Sequence, residues 1–474
     1  MDLIKIKPNI FCLTTIFILL NFISKILCLI EIPIKIINLK NVPKYKGIKL
    51  NPEIPPHIQS IINNYNNSFT TPKIFSESGD IDLISQYLLT IKIKIGSSNE
   101  EFNLILDTGS TITWVPLINS NDLYPIKNHY NPLNSSSSKK LDEDFIIKYG
   151  SGSCFGYYYQ DKIIYINNKE FVFSFGAAEA TDFNVDEADG IVGLSKLYED
   201  KSKSFIYMLC KGGVTKSELF SFKLGLNLTL KDNGKFYIGK HDDFNKDNVA
   251  TCELKNSNYF EKNLWACEMT SFSIVNSNKT ITLTSEKKIS VIFDSGTNVI
   301  FLPLQYLLEI IDDLKKLNCY EIRDYDAGKN SRYQIFCVGE PPDFNLVIDG
   351  HTFILPGKYM FYFNKNIALS KIMFQNSIEE ENDVYIIGSP FFMLFHILFD
   401  SYSKELHFYP EKDEFLIKGS WWKTYHIIIV VISGILFILL ICLIILLILC
   451  KRKNKLDSDT RESFETKSYF GFLL

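Results

Sequence analysis

Two short segments of this chain combine an aspartate with hydroxyl-bearing neighbours, the residue types that acid–base chemistry requires. They read Asp-Thr-Gly-Ser at 107–110 and Asp-Ser-Gly-Thr at 294–297. A carboxylate can take a proton from water, and a protonated carboxyl can give one to a leaving group. Two carboxyl groups at close range share one proton, because like charges cannot both ionise easily there. Asp107 and Asp294 are therefore the candidate catalytic pair, if the fold brings them together.

The neighbours of each aspartate predict how its carboxylate is held. The hydroxyls of Ser110 and Thr297 can hydrogen-bond a nearby carboxylate and fix its orientation. Gly109 and Gly296 permit a tight turn that a residue with a side chain would resist. One tetrapeptide of this kind is typical of an ordinary β-turn. Its repetition later in the chain, with matching neighbours, is what indicates a function.

Apolar runs flank both tetrapeptides and predict β-strands. Residues 104–106 and 114–116 enclose the first tetrapeptide, and residues 291–293 and 299–303 enclose the second. Short apolar runs bounded by turn residues are typical of buried strands. The layout of strand, turn and strand therefore occurs twice. It predicts two similar lobes that each present one aspartate, with the reacting groups between them.

Further motifs follow in an order that makes the chain, from about Gln86 to Pro410, resemble the pepsin-like aspartic proteases. A flap-like Tyr-Gly-Ser-Gly-Ser occupies residues 149–153. Two apolar-apolar-glycine elements follow at 188–194 and 385–391, and two closing strands follow at 399–400 and 406–410. The resemblance implies a mainly β, bilobal fold with the active-site cleft between the two lobes. It also implies polypeptide substrates, a monomeric catalytic domain, and a reaction that needs no cofactor and no metal.

The resemblance assigns roles to further residues. Tyr149, Gly150 and Ser151 correspond to the family's flap, whose tyrosine closes over the substrate. Trp114 occupies the position whose indole hydrogen-bonds that tyrosine, although plain core packing would also explain a tryptophan there. The implied reaction is attack by a water held between the two aspartates, without a covalent intermediate. Which aspartate is ionised is a property of the pair.

Two positions depart from the family's pattern. Thr111 stands where the family often has serine, and Ser389 replaces an acidic residue often found after the second apolar-apolar-glycine element. Neither position belongs to the pair of aspartates. The departures therefore bear on the substrate-binding subsites and the pH optimum more than on whether the enzyme is active.

Composition and missing motifs narrow the function further. The chain of 474 residues has a formal net charge of −4, which gives no argument for nucleic acid as a partner. It contains neither the His-Glu-x-x-His of zinc proteases nor the Gly-x-Ser-x-Gly of serine hydrolases. A catalytically silent peptide-binding relative is the alternative from another functional class. The abundance of Asn, Ile and Lys is typical of AT-rich coding sequences, as in some protists, and bears on the source and not on the chemistry; with such a source, the resemblance would be to the plasmepsin-like members of the family.

Two segments are predicted before the region of resemblance. Residues 1–29, with Lys5 and Lys7 ahead of an apolar stretch, are predicted to be a secretory signal peptide. An uncleaved membrane anchor is the alternative. Residues 30–80 are predicted to be a pro-segment, because basic residues and scattered prolines precede the first strand of the body. A disordered linker would have a similar composition.

The body divides into two predicted lobes. The N-terminal lobe spans residues 81–230 and the C-terminal lobe spans residues 231–412. A short helix is predicted at 204–210, and apolar residues at helical spacing predict a longer one at 306–317. The charged segment 318–333 is predicted to be a loop. Strands rich in Ile, Phe, Tyr and Val dominate elsewhere.

The C-terminal part carries a predicted membrane anchor. Residues 427–450 contain no charge and are long enough to span a bilayer as a helix. A juxtamembrane linker, 413–426, holds Trp421 and Trp422 in the manner of an interfacial aromatic belt. Basic residues begin the tail, 451–474, and the positive-inside rule places that tail in the cytosol. The sequence thus predicts a single-pass type I membrane protein with a lumenal or extracellular catalytic body; a buried core helix is the poorer alternative.

The anchor bears on two alternative biological roles. One is a resident protease that processes secretory or surface proteins, and the other is a degradative endolysosomal enzyme. A tethered enzyme meets passing substrates in the same membrane system, which favours the processing role. The sequence does not distinguish among the endoplasmic reticulum, the Golgi, the endolysosome and the cell surface.

Six cysteines fall in the predicted lumenal body, where an oxidising compartment favours pairing. Proximity in the chain predicts the disulfides Cys252–Cys267 and Cys319–Cys337, although six cysteines allow many connectivities. The remaining two cysteines have no assigned partner. Triplets of the form Asn-x-Ser/Thr give four candidate glycosylation sites, which are Asn66, Asn134, Asn227 and Asn278.

Overall fold

Alternation of apolar and polar residues builds most of this fold. In the strand Tyr87–Ile95, Ile91 and Ile93 are buried, whereas Lys92 and Lys94 are exposed. Successive side chains of a strand point to opposite faces, so the isoleucines enter a core and the lysines reach solvent. The same pattern recurs through a mainly β architecture, as the sequence predicted.

The structure is a computed structural model that describes most of the chain between residue 30 and residue 449. The described residues are 30–33, 35–38, 87–123, 126–149, 152–165, 169–182, 188–196, 200–226, 234–239, 247–254, 263–276, 280–324, 332–364, 367–376, 383–419 and 431–449. They belong to two compact units, one ending at Lys418 and the other beginning at Gly419. The predicted signal peptide and cytosolic tail lie outside the described residues.

The strands and helices are numbered in chain order. The strands before residue 200 are β1 (Ile30–Pro33), β2 (Lys35–Asn38), β3 (Tyr87–Ile95), β4 (Glu100–Asp107), β5 (Trp114–Asp122), β6 (Lys139–Tyr149), β7 (Gly152–Tyr165), β8 (Lys169–Thr181) and β9 (Gly190–Gly193). They are followed by β10 (Leu219–Lys223), β11 (Lys235–Ile238), β12 (Ala250–Glu253), β13 (Ala266–Val275), β14 (Thr280–Phe293), β15 (Ile300–Pro303), β16 (Cys319–Asp324) and β17 (Arg332–Val338). The last strands are β18 (Asp343–Ile348), β19 (His351–Leu355), β20 (Phe361–Asn364), β21 (Ile367–Gln375), β22 (Val384–Ile387), β23 (Phe395–Asp400), β24 (Glu405–Pro410) and β25 (Leu416–Ile417). The α-helices are α1 (Phe205–Lys211), α2 (Leu304–Lys316), α3 (Gly357–Met360), α4 (Ser389–Phe392) and α5 (Val431–Leu449), and short 3-10 helices occupy Pro132–Asn134, Lys201–Lys203 and Asp413–Phe415.

The body contains three sheets, two of which form the lobes. The first lobe is an eight-stranded sheet in the order β2-β3-β4-β9-β5-β8-β7-β6. The second lobe is an eleven-stranded sheet in the order β16-β17-β21-β15-β22-β14-β13-β18-β19-β25, with β20 paired to β21. In each lobe the strand that leads to the aspartate runs parallel to a later strand, β4 with β9 and β14 with β22. The predicted bilobal plan is therefore the observed one.

The third sheet joins the two halves of the chain. Its order is β1-β11-β10-β23-β24-β12, and the pairing of β10 with β23 joins strands from the two halves of the chain. Its aromatic side chains pack into the core, and Phe220 stacks on Phe399 with 4.7 Å between ring centroids. Full burial of such a side chain contributes about 1.5–3 kcal/mol. Trp265 packs edge-on against both rings and ties the sheet to the second lobe.

Both predicted helices of the body form, with boundaries shifted by one or two residues. Helix α1 begins at Phe205, because the Ser204 hydroxyl accepts a hydrogen bond from the Tyr207 amide and caps the helix. Helix α2 begins at Leu304 directly after β15 and buries Leu307 and Ile310. Its apolar face packs on the second sheet, as the helical spacing predicted.

The prediction of a loop at 318–333 is wrong for residues 319–324 and 332–333, and residues 325–331 lie outside the described part of the chain. Residues Cys319–Asp324 and Arg332–Val338 form an antiparallel hairpin, β16 and β17, whose ends are joined by the disulfide Cys319–Cys337. Tyr320 and Ile322 pack together on one face of the hairpin. They alternate with charged residues, which is the period of a strand. The charge content hid this alternation in the sequence.

Residues on both sides of the predicted lobes also join the sheets. Strand β1 pairs with β11, and β2 pairs with β3, so part of the predicted pro-segment belongs to the folded body. At the other end, Asp413–Phe415 and Leu416–Ile417 pack on β19, within the predicted juxtamembrane linker 413–426. The folded body therefore ends near Lys418 rather than at residue 412.

The C-terminal helix α5 is long and apolar enough to cross a membrane. It spans Val431–Leu449, its mean hydropathy is 3.5, and none of it is buried against the protein. By its length and composition, this helix could be the predicted anchor. The ends of the predicted span, 427–430 and Cys450, lie outside the described residues.

Candidate active site

Each aspartate sits where a buried strand meets a second, parallel strand. Asp107 is the last residue of β4, and its carbonyl accepts a hydrogen bond of 2.8 Å from the amide of Leu194, just after β9. Asp294 directly follows β14, and its amide donates 3.0 Å to the carbonyl of Ile387 in β22. The two apolar-apolar-glycine elements thus fix the backbone of both aspartates, as the resemblance implied. Gly388 lets the segment after the second turn pack against this element, since a Cβ there would lie 2.1 Å from the carbonyl oxygen of Val299.

Two hydroxyl residues lock the turns to each other, and the sequence analysis missed both. The amide of Thr108 donates to the Ser295 hydroxyl at 3.1 Å, and the amide of Ser295 donates to the Thr108 hydroxyl at 2.9 Å. Each hydroxyl in turn donates to the opposite lobe, to the carbonyl of Phe293 at 2.7 Å and to that of Leu106 at 2.8 Å. The signal in the sequence was a hydroxyl at the second position of both tetrapeptides.

The glycines of the two turns make room for the opposite carboxylate. A Cβ on Gly109 would lie 2.7 Å from the Asp294 carboxyl carbon, and one on Gly296 would lie 2.7 Å from Asp107 Oδ1. Neither glycine has a positive φ, so the predicted reason for them, an unusual turn conformation, is wrong. They are required because each lobe places its backbone directly against the other lobe's catalytic group.

Hydrogen bonds from the turns orient the two carboxylates. The amides of Gly109 and Gly296 donate to Oδ1 of Asp107 and of Asp294, each at 2.8 Å. Thr297 Oγ1 donates to Asp294 Oδ2 at 2.5 Å, as predicted.

The prediction for Ser110 is corrected by the structure. Its hydroxyl donates to the carbonyl of Ile112 at 3.3 Å and lies 3.3 Å from the hydroxyl of Tyr149, instead of holding a carboxylate. It is buried beside the first turn, so it links that turn to the flap.

Burial and the neighbouring carboxyl raise the pKa of Asp107 well above its ordinary value. Asp107 is 6% exposed, and desolvation disfavours its charged form. The charge of Asp294 and a side-chain hydrogen bond with it act in the same direction, while the amides of Gly109 and Ser110 oppose them. The pair consequently retains one proton into a pH range where an isolated carboxyl would be ionised.

The flap tyrosine packs over the first lobe. Trp114 Nε1 donates to the Tyr149 hydroxyl at 2.8 Å, which is the contact that the resemblance implied. Trp114 is also fully buried, so core packing holds as well. Burial, followed by the charge of Asp107, raises the pKa of Tyr149. Gly150 and Ser151 lie outside the described residues, so their predicted roles in the flap stay predictions.

The structure contains both predicted disulfides, Cys252–Cys267 and Cys319–Cys337. Cys154 and Cys210 are free thiols, and burial raises the pKa of each. Among the four candidate glycosylation sites, Asn134 is exposed at the end of a 3-10 helix. The other three asparagines, Asn66, Asn227 and Asn278, lie outside the described residues. Within the described part of the chain, no three His, Cys, Asp or Glu side chains cluster as metal ligands would.

Each of the two β lobes presents one carboxylate, and reciprocal hydrogen bonds interlock the two turns beneath a tyrosine flap. This arrangement defines a peptidase of the aspartic class. Comparison with known proteins agrees with this class. Residues 86–410 match the family described as Eukaryotic aspartyl protease. The match covers more than half of the chain, so the chain belongs to the eukaryotic aspartyl protease family. It is accordingly an aspartic-type endopeptidase.

Individual relatives are similar over most of the body. Vacuolar protease A of Arthroderma otae is 26% identical over 348 residues, which cover 69% of this chain and 80% of that protein. Gastricsin of Oryctolagus cuniculus is 24% identical, with 67% and 80% covered. Cathepsin D of Dictyostelium discoideum is 26% identical, with 67% and 81% covered. A plasmepsin-like affinity within the family stays a prediction.

Proposed function

We propose that this protein is a membrane-anchored endopeptidase in which Asp107 and Asp294 activate water, and that it processes proteins of the secretory pathway or cell surface. The observation that supports the catalytic assignment is the reciprocal packing of the turns. Gly109 lies against one carboxylate and Gly296 against the other, which leaves the two carboxyl groups within hydrogen-bond reach. Such a pair can bind one water symmetrically.

The reaction needs only the pair and the water. The ionised carboxylate takes a proton from the water as its oxygen attacks the carbonyl carbon of the scissile bond. The protonated carboxyl hydrogen-bonds the carbonyl oxygen, and a proton passes to the leaving nitrogen as the C–N bond breaks. The raised pKa of Asp107, caused by burial and by Asp294, keeps the required proton on the pair at mildly acidic pH.

Neighbouring hydroxyls hold this arrangement during the reaction. The bond of 2.5 Å from Thr297 keeps Asp294 oriented, and the interlocking bonds of Thr108 and Ser295 hold the lobes in register. Tyr149 stays protonated because its pKa is raised, so the flap closes over the substrate with a neutral hydroxyl. A closed flap excludes water from the reacting groups.

The processing role is supported by the exposed apolar helix α5. A helix of this length and composition can span a bilayer, and an enzyme tethered in this way meets secretory and surface proteins that pass through the same membrane system. The degradative role is the second candidate, because two of the relatives are named vacuolar protease A and cathepsin D. A catalytically silent peptide-binding protein is the third, and the intact pair of aspartates argues against it.

The test is cleavage of a randomised peptide library by the full chain in detergent, beside Asp107→Asn, from acidic to neutral pH. Cleavage by the wild type alone, blocked by a statine-type peptide, would support the assignment of the dyad. A silent binder would bind that peptide without any cleavage to inhibit. An optimum near neutrality would favour processing, whereas activity confined to low pH would favour the degradative role.

A further inference from the structure

The second lobe carries an apolar face equivalent to the one beneath the flap. Trp114 and Phe301 follow their aspartates at the same interval, and so do Ile112 and Val299. In the first lobe, Trp114 and Ile112 pack with Ile191 next to the first aspartate. In the second lobe, four side chains pack in the corresponding way: Val299, Phe301, Met373 and Ile386. We call these four residues the second-lobe face.

This face points away from the main core of its sheet. Ile300 and Leu302, which alternate with Val299 and Phe301 along β15, belong to the main core. The side chains of Val299 and Phe301 are therefore on the opposite side. In the first lobe, too, one side of the sheet faces the main core. The opposite side, which carries Trp114, holds the flap tyrosine beside the pair of aspartates. The second-lobe face thus lies beside Asp294 as the Trp114 face lies beside Asp107.

The two faces are covered by different chemistry. The first is covered by the neutral Tyr149, which is held by Trp114. The second is covered by Arg332, whose guanidinium carbon is 5.2 Å from the centre of the Phe301 ring. Arg332 begins β17, and the backbone register places Gln334, the next residue on the same side, opposite Met373. The hairpin that the sequence analysis took for a loop therefore brings a cation to this face.

Arg332 stands opposite Asp324 in the register of the hairpin, and the structure shows no ion pair from Arg332 or Lys371 to any carboxylate whose side chain it describes. Arg332 Nε is buried and makes no hydrogen bond to a residue that the structure describes. Lys371 lies on the same side of β21 as Met373, with Nζ 4.9 Å from the centre of the Tyr362 ring. Burial lowers the pKa of Lys371 to about 8, so the amine is still charged at neutral and acidic pH. Both cations are held over aromatic rings, where such contacts are favourable.

We propose that the second-lobe face selects peptide substrates with an acidic side chain, whose carboxylate is bound by Arg332 and attracted by Lys371. A guanidinium offers a planar fork that matches a carboxylate, and the ring of Phe301 holds that fork in place. The apolar side chains of the second-lobe face can pack against the methylene groups of a glutamate. Binding would also give a buried donor, Arg332 Nε, the acceptor it lacks. The proposal rests on the endopeptidase activity and names the class of substrate.

The test uses pairs of peptides that differ only in Glu or Gln at one position near the scissile bond, cleaved by the full chain in detergent. At one position, the wild type should favour Glu over Gln in kcat/KM by on the order of tenfold. Arg332→Gln should bring this ratio close to one, and Arg332→Glu should reverse it in favour of the Gln peptide. Lys371→Gln, which removes the more distant cation, should reduce the ratio by about twofold.

A matched control is Lys358→Gln in the same lobe. Lys358 is exposed and also lies over an aromatic ring, Tyr359, at 5.1 Å, but it is not on the second-lobe face. This variant should keep the wild-type preference for Glu. Binding of a statine-type peptide and the midpoint of thermal unfolding show that each variant is folded with its dyad intact.

Two results would overturn the proposal alone. One is cleavage by the wild type with no preference for Glu at any position, and the other is a preference that persists in Arg332→Gln. If the wild type cleaved none of the peptides, the endopeptidase assignment itself would fail, and the proposal with it. The two failures are therefore distinguishable.

Discussion

The two aspartate turns carry the same kinds of residue, yet their fourth residues make different contacts. Thr297 donates its hydroxyl hydrogen to the carboxylate of Asp294 at 2.5 Å. The Ser110 hydroxyl lies 3.3 Å from the hydroxyl of Tyr149 and donates to the carbonyl of Ile112. One turn thus orients its own carboxylate, whereas the other connects its lobe to the flap.

This difference shows how a nearly symmetric site obtains two unequal carboxyl groups. Both turns have a glycine amide that donates to Oδ1 of the aspartate and a hydroxyl that interlocks with the other turn. These shared contacts fix the positions of the two carboxyl groups. The parts that differ change the surroundings of each carboxyl. Asp107 is buried, while Asp294 is partly exposed and has an additional hydroxyl donor. Unequal surroundings are what allow one carboxyl to act as acid while the other acts as base.

The largest expected effect comes from removing either carboxylate. Asp107→Asn and Asp294→Asn should each lower kcat/KM for a cleaved peptide by about 10³-fold or more, because water activation requires one acid and one base. The effects of the two substitutions should not add in the double variant, since the carboxyl groups act as one unit.

The control for these variants is binding of a statine-type peptide, which shows that the cleft is still formed. Either single variant retaining more than about a tenth of wild-type activity would contradict the assignment of a paired dyad.

The next largest effect tests the close packing of the turns. Gly109→Ala and Gly296→Ala each put a Cβ within 2.7 Å of the opposite carboxyl group. Both should reduce kcat/KM by about 10²-fold through displacement of the dyad, and overpacking should lower the free energy of unfolding by about 1–3 kcal/mol.

Gly213→Ala is the matched control, since a Cβ there meets nothing within 4 Å but the glycine has a φ of +72°. It should cost stability through backbone strain and leave kcat unchanged. Equal kinetic effects at Gly213 and at the two turn glycines would mean that the steric argument is wrong.

The unequal burial of the carboxyls predicts a pH-dependent stability difference. The pKa of Asp107 is higher in the folded state than in the unfolded chain. At a pH above the ordinary pKa of an aspartate, the folded protein therefore holds a proton that the unfolded chain has lost. The free energy of unfolding consequently falls as the pH rises. Asp107→Asn removes this loss. Its stability relative to the wild type should be near zero below about pH 3.5 and should grow toward neutral pH, by about 1.4 kcal/mol for each pH unit separating the two pKa values.

Denaturant unfolding of both proteins between acidic and neutral pH measures this difference. An exposed carboxylate, Asp142, gives the control, and Asp142→Asn should show little dependence on pH. A stabilisation by Asp107→Asn that grew toward acidic pH would have the wrong sign and would reject the burial argument.

The smallest effects separate the two fourth residues. Thr297→Val removes a hydroxyl donor to the carboxyl group of Asp294, which makes the ionised form of the pair less stable, so the acid limb of kcat/KM should move to higher pH and activity at acidic pH should fall by about tenfold. Ser110→Ala loosens the contact with the flap, and should raise KM by about two- to fivefold without moving that limb. The pH profiles of kcat and KM distinguish the two. Identical shifts would show that the turns are functionally equivalent.

Much of the fold was predictable because its signals are local. Apolar runs around 107–110 and 294–297 indicated the strands, and helical spacing indicated α2 to within two residues at its start. Chain proximity was enough for the disulfides Cys252–Cys267 and Cys319–Cys337. The hairpin of β16 and β17 was missed, because charged residues alternate with its apolar ones and the sheet that stabilises it is built from distant segments.

The sequence by itself determined the chemistry of this protein: two aspartates in repeated turns, the flap tyrosine and its tryptophan, and an uncharged C-terminal span. The tertiary structure decided what each neighbour does. Thr108 and Ser295 contact partners that are 185 to 189 residues away in the chain, and the glycines are needed for the opposite lobe. Only folding brings Arg332 over Phe301. Local patterns cannot encode such contacts, because they depend on how two separately patterned lobes pack against each other.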